Sequence, residues 1–193
     1  MTHPPAPSRR NADVAPTPPA TRPTAFHTNA IGIGEIGVAR HEGVLRTFVG
    51  SCIGLAIFDQ RQRVAGLAHI MLPDSKGDLS QPGRYADTAI PEMMRLLRDA
   101  VGGLNLRLAA KMVGGAKMFA FQSGVTVGDQ NVAAVERILQ GLGIPVLARD
   151  CGGERGRRVS MRPSSMKSRR CVRSLSRNEL SFIRTRASSV TIA

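Results

Sequence analysis

The chain has 193 residues and a formal net charge of +13, with 42% apolar residues, 4% aromatic residues and no tryptophan. This length allows one domain with a substantial core and excludes two large ones. Residues 151–193 hold eleven Lys and Arg against two acidic residues, so the basicity is concentrated near the C-terminus, and the scarcity of aromatic rings disfavours a protein that binds nucleic acid by base stacking.

The cysteines and the apolar pattern indicate a cellular compartment. Cys52, Cys151 and Cys171 are an odd number, and their spacing fits neither a disulfide framework nor a zinc site. The N-terminus lacks the apolar core of a secretory signal. The longest uncharged apolar stretch, residues 47–58, is shorter than the roughly 18 residues of a membrane-spanning helix. We therefore expect a soluble protein of the reducing cytoplasm.

The chain divides into three parts by composition. Residues 1–28 hold seven of the twelve prolines and almost no large apolar side chains, which predicts a disordered leader. Residues 29–161 alternate short apolar runs with turn residues, which predicts one folded domain. Residues 162–193 are rich in Ser and Arg and have no regular period, so we expect a basic, solvated tail.

Near the start of the domain, residues 32–37 read GIGEIG, the letters of a dinucleotide-binding loop. Such a loop follows a buried strand and opens a helix. Here a proline-rich leader precedes it and no helical face follows it. We therefore reject a nucleotide site and expect a glycine-rich first strand or turn.

The rest of the domain contains several strand candidates and two helical segments. The strand candidates are residues 44–48, 53–58, 64–72, 108–113, 118–121 and 144–148. The first helical face consists of Ile90, Met93, Met94, Leu97 and Val101, and the second of Val132, Val135, Ile138, Leu139 and Leu142. The order of these elements predicts an α+β or layered α/β domain.

Two details define the ends of the helices. Pro91 is compatible with the first helix only if it lies in the opening turn. Asp129 is a candidate N-cap for the second helix, and Gly141 or Gly143 is expected to end it.

One cysteine and one histidine stand out from the rest. Cys52 follows a Gly-Ser pair between two apolar runs, and a thiol at such a reversal can have backbone N–H groups beside it. His69 lies within the strand-like run AGLAHIMLPD, whereas His3, His27 and His41 lie in polar contexts typical of solvated side chains. Taken alone, Cys52 and His69 would each more often be core residues than catalysts.

A hairpin would bring these two residues together. With the polar residues 60–62 as its turn, Cys52 and His69 become near cross-strand neighbours. A Cys–His pair needs that proximity because the imidazole must take the thiol proton. A third group would orient the histidine, and Thr47, Asp59 and Asp74 are the candidates that spacing leaves open.

Six ordered blocks of this sequence resemble one family. VGSCIGLAIFD, GLAHIMLPDS, RYADTAIPEMM, KMVGGAKMF, VGDQN and DCGGERGRRV occur in the order and at the spacings found in the chemoreceptor glutamine deamidases of the CheD family. The resemblance runs from about Ile31 to Met161. It implies a three-layer α/β/β sandwich that hydrolyses glutamine side chains of methyl-accepting chemotaxis receptors to glutamate and ammonia.

The resemblance also assigns site residues. It implies that Cys52 is the nucleophile, His69 the base and Thr47 the third member, and that no metal or organic cofactor is required. We expect backbone N–H groups at the Gly50–Ser51 turn to hold the oxyanion. Gly114 and Gly115 could line a substrate cleft, or could equally form a tight turn.

Two departures from the family pattern and two alternative functions remain. Cys151 replaces the usual apolar residue or threonine, and the tail does not resemble the closing strand that family members carry. One alternative is a non-catalytic adaptor for receptors or for a CheC-type phosphatase. The other is a nucleic-acid-binding protein that uses the basic tail.

Overall fold

The computed structural model describes residues 30–117 and 124–166, together with the backbone of residues 190–192. The strands in these residues are β1 (Ile36–Arg40), β2 (Leu45–Val49), β3 (Ile53–Asp59), β4 (Val64–Ile70), β5 (Ala109–Gly114), β6 (Val146–Cys151), β7 (Arg157–Met161) and β8 (Val190–Ile192). The helices are α1 (Ala86–Ala100) and α2 (Val127–Gly141), with 3-10 turns at Pro82–Arg84 and Pro163–Ser165. The strand predicted at residues 118–121 lies outside the described residues.

The strands form two sheets. The central sheet has the order β1-β4-β3-β5-β6, in which only the β5–β6 pair is parallel. The second sheet is antiparallel and has the order β2-β7-β8. Its third strand, β8, comes from the segment expected to be a solvated tail. The predicted strands match β2 to β5 closely, β6 begins two residues later than predicted, and β7 was not predicted.

Alternating side chains of the central sheet build a core on each face. Ile53, Leu55 and Ile57 of β3 pack with residues of α1 and α2. Ala56 and Phe58, on the opposite face, pack with residues of β2 and β7 in the second sheet. Because both faces are covered, every residue of β3 and β4 is buried. The fold is therefore the predicted three-layer α/β/β sandwich.

Helix α1 begins earlier than its apolar period suggested. It starts at Ala86, so Pro91 is its sixth residue and lies beyond the opening turn where it was expected. Proline removes the hydrogen bond to the carbonyl four residues back, which belongs to Asp87. Both Pro91 and Asp87 are exposed, so water can solvate that carbonyl. The predicted apolar face is confirmed, with Ile90, Met93, Leu97 and Val101 buried.

Helix α2 has a different N-cap from the one predicted. Thr126 is the N-cap, and its hydroxyl accepts a hydrogen bond from the Asp129 backbone N–H. Asp129 is the third helical residue, and its carboxylate accepts from the Thr126 backbone N–H, which completes a capping box. Leu142, assigned to the apolar face, follows the last helical residue and is 46% exposed.

Packing continues beyond Met161, where the folded domain was expected to end. Pro163 is buried, and Met166 is 1% exposed in the core between the two sheets. Neither of the two helices in the described ranges is long and apolar enough to cross a membrane.

The β3–β4 turn supplies a test of stability. Asp59 is 2% exposed and accepts hydrogen bonds from the backbone N–H groups of Arg61, Gln62 and Arg107. In Asp59→Asn, an amide NH₂ replaces one of the accepting oxygens and faces an N–H donor. We expect a loss of about 1–3 kcal/mol in the free energy of unfolding, measured by urea denaturation.

Asp74→Asn is the matched control for this prediction. Asp74 is exposed and accepts a single bond from the Lys76 backbone N–H. Its variant should unfold within about 0.5 kcal/mol of the parent. Equal losses in both variants would contradict the role given to Asp59.

Candidate active site

Residues 50–52 carry the chain from the second sheet into the central sheet. They form a bend between β2 and β3, and Gly50, Ser51 and Cys52 are each half-buried there. The Ala116 backbone N–H donates to the Gly50 carbonyl at 2.8 Å, and the Gly115 N–H donates to the Cys52 carbonyl at 3.0 Å. The bend that carries the thiol is therefore fastened to the chain that follows β5.

Gly114 and Gly115 make that close contact possible. Gly114 has φ +115°, and a Cβ built on it would overlap the Cys52 carbonyl oxygen. Gly115 has φ +63°, and its Cβ would lie 2.6 Å from a methyl carbon of Val132. Larger residues would meet strain as well as collisions at both positions. Both glycines are buried, and they hold the 50–52 bend in place.

The predicted β3–β4 hairpin is present, with a register shifted from the expected one. His69 pairs with Gly54, so Cys52 is displaced by two residues from the position directly opposite His69. Residues two apart on a strand share a face, and Cys52 packs against the same core between the sheets that Leu67 of β4 joins. Cys52 precedes β3 by one residue, so Cys52 and His69 are diagonal neighbours at the same end of the β3–β4 hairpin.

Thr47 contacts His69 across the space between the two sheets. Thr47 lies on β2 with its side chain directed inward and is 7% exposed, while His69 is 5% exposed. The Thr47 hydroxyl oxygen is 2.9 Å from His69 Nδ1 and 2.8 Å from the Ile31 carbonyl oxygen. The structure therefore brings two of the three predicted site residues into direct contact.

These two contacts favour one tautomer of His69. A carbonyl oxygen only accepts hydrogen bonds, so the Thr47 hydroxyl proton is directed to Ile31. The Thr47 oxygen then accepts from the Nδ1–H of His69. A neutral imidazole carries one ring proton, so the Nε2 atom of His69 holds a free lone pair. That nitrogen has the state required of a general base.

Burial keeps both the thiol and the imidazole uncharged. Burial raises the pKa of Cys52 above the ordinary cysteine value, although its own backbone N–H and the Ser51 hydroxyl, which hydrogen-bond the sulfur, oppose the rise. Burial lowers the pKa of His69 below the ordinary histidine value of 6.5, opposed by the Ile31 carbonyl and the Glu35 carboxylate. At neutral pH the pair is therefore a thiol beside a neutral imidazole.

The other candidates for the third member lie elsewhere. Asp59 is at the far end of β3 from Cys52, where it binds the β3–β4 turn. Asp74 is exposed and caps the backbone of Lys76. Cys151 is half-buried at the end of β6, and burial raises its pKa to about 11, which makes it a poor nucleophile near neutral pH.

Sequence analysis missed one element of the site, the turn that precedes β1. The Gly34 N–H donates to the His69 carbonyl at 2.9 Å, and the His69 N–H donates to the Glu35 carbonyl at 3.1 Å. The GIGEIG segment, predicted only as a first strand or turn, thus flanks the histidine on the side away from β3. Backbone contacts of this kind leave no pattern of side chains in the sequence.

Comparison with known proteins reveals clear similarity to one family. The family model described as CheD chemotactic sensory transduction matches residues 71–170. A chemoreceptor glutamine deamidase CheD from Thermotoga maritima is 44% identical over 130 residues, which cover 67% of this chain and 82% of the relative. A protein of the same name from Halalkalibacterium halodurans is 40% identical over 142 residues, which cover 70% of this chain and 87% of the relative.

The contact between Thr47 and His69 can be tested without any substrate. In Thr47→Val, a methyl group replaces the hydroxyl that fixes Nδ1, so Nε2 is no longer held in the base form. We expect alkylation of Cys52 by iodoacetamide at pH 7 to slow by about tenfold or more, measured by peptide mass spectrometry. Thr47→Ser keeps the hydroxyl and should stay close to the parent rate. Equal rates in the parent and the valine variant would show that Thr47 does not orient His69.

Proposed function

Since the chain belongs to the CheD family of chemoreceptor glutamine deamidases, we propose that Cys52, His69 and Thr47 carry out its deamidation of receptor glutamines. The products are a glutamate side chain and ammonia. The observation that carries this assignment is the hydrogen bond of 2.9 Å between Thr47 and His69, because it leaves Nε2 unprotonated in a ring diagonal to Cys52. The site residues are all on this chain, and the protein acts in the cytoplasm.

The first half of the reaction forms a tetrahedral intermediate. His69 Nε2 accepts the thiol proton as the Cys52 sulfur attacks the Cδ atom of the glutamine amide. The C–S bond forms and the amide oxygen becomes negatively charged. Backbone N–H groups of Ser51 and Cys52 stabilise that oxyanion. The carbonyl groups of Gly50 and Cys52 are engaged by Ala116 and Gly115, so they do not oppose the developing charge.

The second half releases the products and restores the enzyme. The protonated His69 gives its Nε2 proton to the amide nitrogen, the oxyanion re-forms the carbonyl as the C–N bond breaks, and ammonia leaves a thioester on Cys52. Water then attacks the thioester carbonyl while His69 removes a proton from it. The C–S bond breaks, glutamate is released, and the proton returns from His69 to the Cys52 sulfur. Thr47 keeps the imidazole oriented through each of these transfers.

An adaptor function is the principal alternative. In that case the chain would bind receptors or a CheC-type phosphatase without hydrolysing an amide. Ammonia release from receptor cytoplasmic fragments separates the two functions, because an adaptor would bind the fragments and release none. The concentration of positive charge in residues 151–193 also permits electrostatic steering toward acidic receptor surfaces.

Removal of either reacting side chain should abolish deamidation. Cys52→Ala lacks the attacking atom, and His69→Ala lacks the base, so we expect ammonia release from receptor cytoplasmic fragments to fall by about 10⁴-fold or more in each variant. Mass spectrometry of the receptor peptides should show no conversion of glutamine to glutamate. Cys151→Ala is the matched cysteine control and should retain the parent rate. Normal turnover by Cys52→Ala would refute the thioester route.

The lowered pKa of His69 predicts the acid side of the pH profile. A histidine acting as a base works only when it is neutral, so activity is lost as pH falls through its pKa. Because burial depresses that pKa, the midpoint of the acid limb of kcat/KM should lie below 6.5. Rates of ammonia release in buffers of constant ionic strength measure it. A midpoint clearly above this value would mean that His69 is not buried in its neutral form.

A further inference from the structure

An asparagine on helix α2 reaches the backbone on both sides of the proposed catalytic pair. Asn131 has no exposed surface. Its Nδ2 atom donates to the Ser51 carbonyl at 3.1 Å and to the Met71 carbonyl at 2.9 Å. Ser51 immediately precedes Cys52 along the chain, and Met71 follows His69 by two residues. One side-chain amide therefore joins the two segments from which the reacting groups project.

The contact completes the support of the 50–52 bend. The Gly50 carbonyl accepts from the Ala116 N–H, and the Cys52 carbonyl accepts from the Gly115 N–H. The Ser51 carbonyl between them accepts from Asn131. All three successive carbonyls are thus held by the scaffold, and the middle one alone depends on a side chain. That carbonyl belongs to the peptide group whose N–H is on Cys52.

The planar amide of Asn131 fixes a distance as well as a direction. Its two N–H bonds diverge within one plane, so one is directed to each carbonyl. Its Oδ1 atom is buried and has no hydrogen-bond partner within the described ranges, which is an unfavourable arrangement for a polar atom. The two donated hydrogen bonds therefore explain why an amide side chain occupies this fully buried position.

We propose that Asn131 is a positioning residue for the deamidation, which holds the Cys52 bend at a set distance from the end of the His69 strand. This inference rests on the proposed function of Cys52 and His69. Thr47 orients His69 from the side of the second sheet, and Asn131 secures the Cys52 bend from the side of the helices. The relative position of sulfur and imidazole is then constrained by both outer layers.

Steady-state kinetics provide the first test. Asn131→Ala removes both donors, and Asn131→Asp keeps the shape of the side chain while replacing the NH₂ group with a charged acceptor. We expect kcat for ammonia release from receptor fragments to fall by about tenfold to hundredfold in both variants. The KM should stay within about twofold of the parent, because Asn131 touches no substrate. Gln130→Ala, an exposed amide on the same helix, is the matched control and should behave as the parent.

The pH profile of Cys52 alkylation provides a second test that needs no receptor. If Asn131 sets the distance between thiol and imidazole, its loss should slow iodoacetamide alkylation of Cys52 at pH 7, where His69 assists. As pH rises, hydroxide rather than His69 removes the thiol proton, so the ratio of the parent rate to the variant rate should approach one. Cys151 is measured in the same digests as an internal reference, and its rate should not change.

The outcomes separate this inference from the proposed function. Retained activity in Cys52→Ala would overturn the proposed function, and the alkylation profile would still decide whether Asn131 positions the thiol. Parent values of kcat and of the Cys52 profile in a folded Asn131 variant would overturn the inference alone. A parallel change at Cys151 would also overturn it, because it would indicate general loosening. If Asn131→Ala fails to fold, the isosteric Asn131→Asp carries the test.

Discussion

The hydroxyl group of Thr47 connects three segments that are distant in the sequence, and the proposed chemistry of the site depends on it. It donates to the Ile31 carbonyl at 2.8 Å and accepts from His69 Nδ1 at 2.9 Å. A hydroxyl has only one proton to give, so the carbonyl partner decides which way the second bond runs. The Ile31 backbone, at the entry to the domain, thereby favours the tautomer of the His69 imidazole on β4 that carries its proton on Nδ1. A carboxylate in place of Thr47 would stabilise the charged imidazole instead.

The three-layer architecture explains how a few residues are sufficient to build the proposed site. Thr47 and His69 lie in different sheets, and the 50–52 bend is the place where the chain passes from one sheet to the other. Gly54, opposite His69, has no side chain, and a Cβ there would contact Val159 of the second sheet at 3.2 Å. Thr47 and His69 are thus both buried between the sheets, while Cys52 is half-buried at the margin.

The sequence predicted the elements whose apolar pattern is regular, and it failed where polar residues point inward. Strand β7 was missed because Arg157, at an inward position, is buried in an ion pair of 2.9 Å with Asp150 and so hides the alternation. Asp129 was taken for the N-cap because both it and Thr126 suit that position, and in a capping box both are used.

Within the site, the sequence likewise indicated residues that share a local pattern, and it gave no sign of contacts between distant elements. Cys52 and His69 were found because both lie on one predicted hairpin. The resemblance supplied Thr47 as the third member, whereas spacing alone also left Asp59 and Asp74 open, because the contact between Thr47 and His69 joins two sheets and no local pattern contains it. Asn131 was passed over for the same reason, since its partners on the backbone of Ser51 and Met71 come from other elements.

The neutral state of the pair has a consequence for how the protein controls its thiol. Burial raises the pKa of Cys52 and lowers that of His69, so the uncharged form of both is favoured before substrate arrives. A neutral thiol reacts slowly with oxidants and electrophiles, since the thiolate is the reactive species. In the proposed mechanism, charge develops only during attack on the amide, where the same surroundings strengthen each hydrogen bond to the oxyanion and to the imidazolium. Exposing the pair to solvent would give more thiolate at rest, and it would weaken the groups that stabilise the transition state.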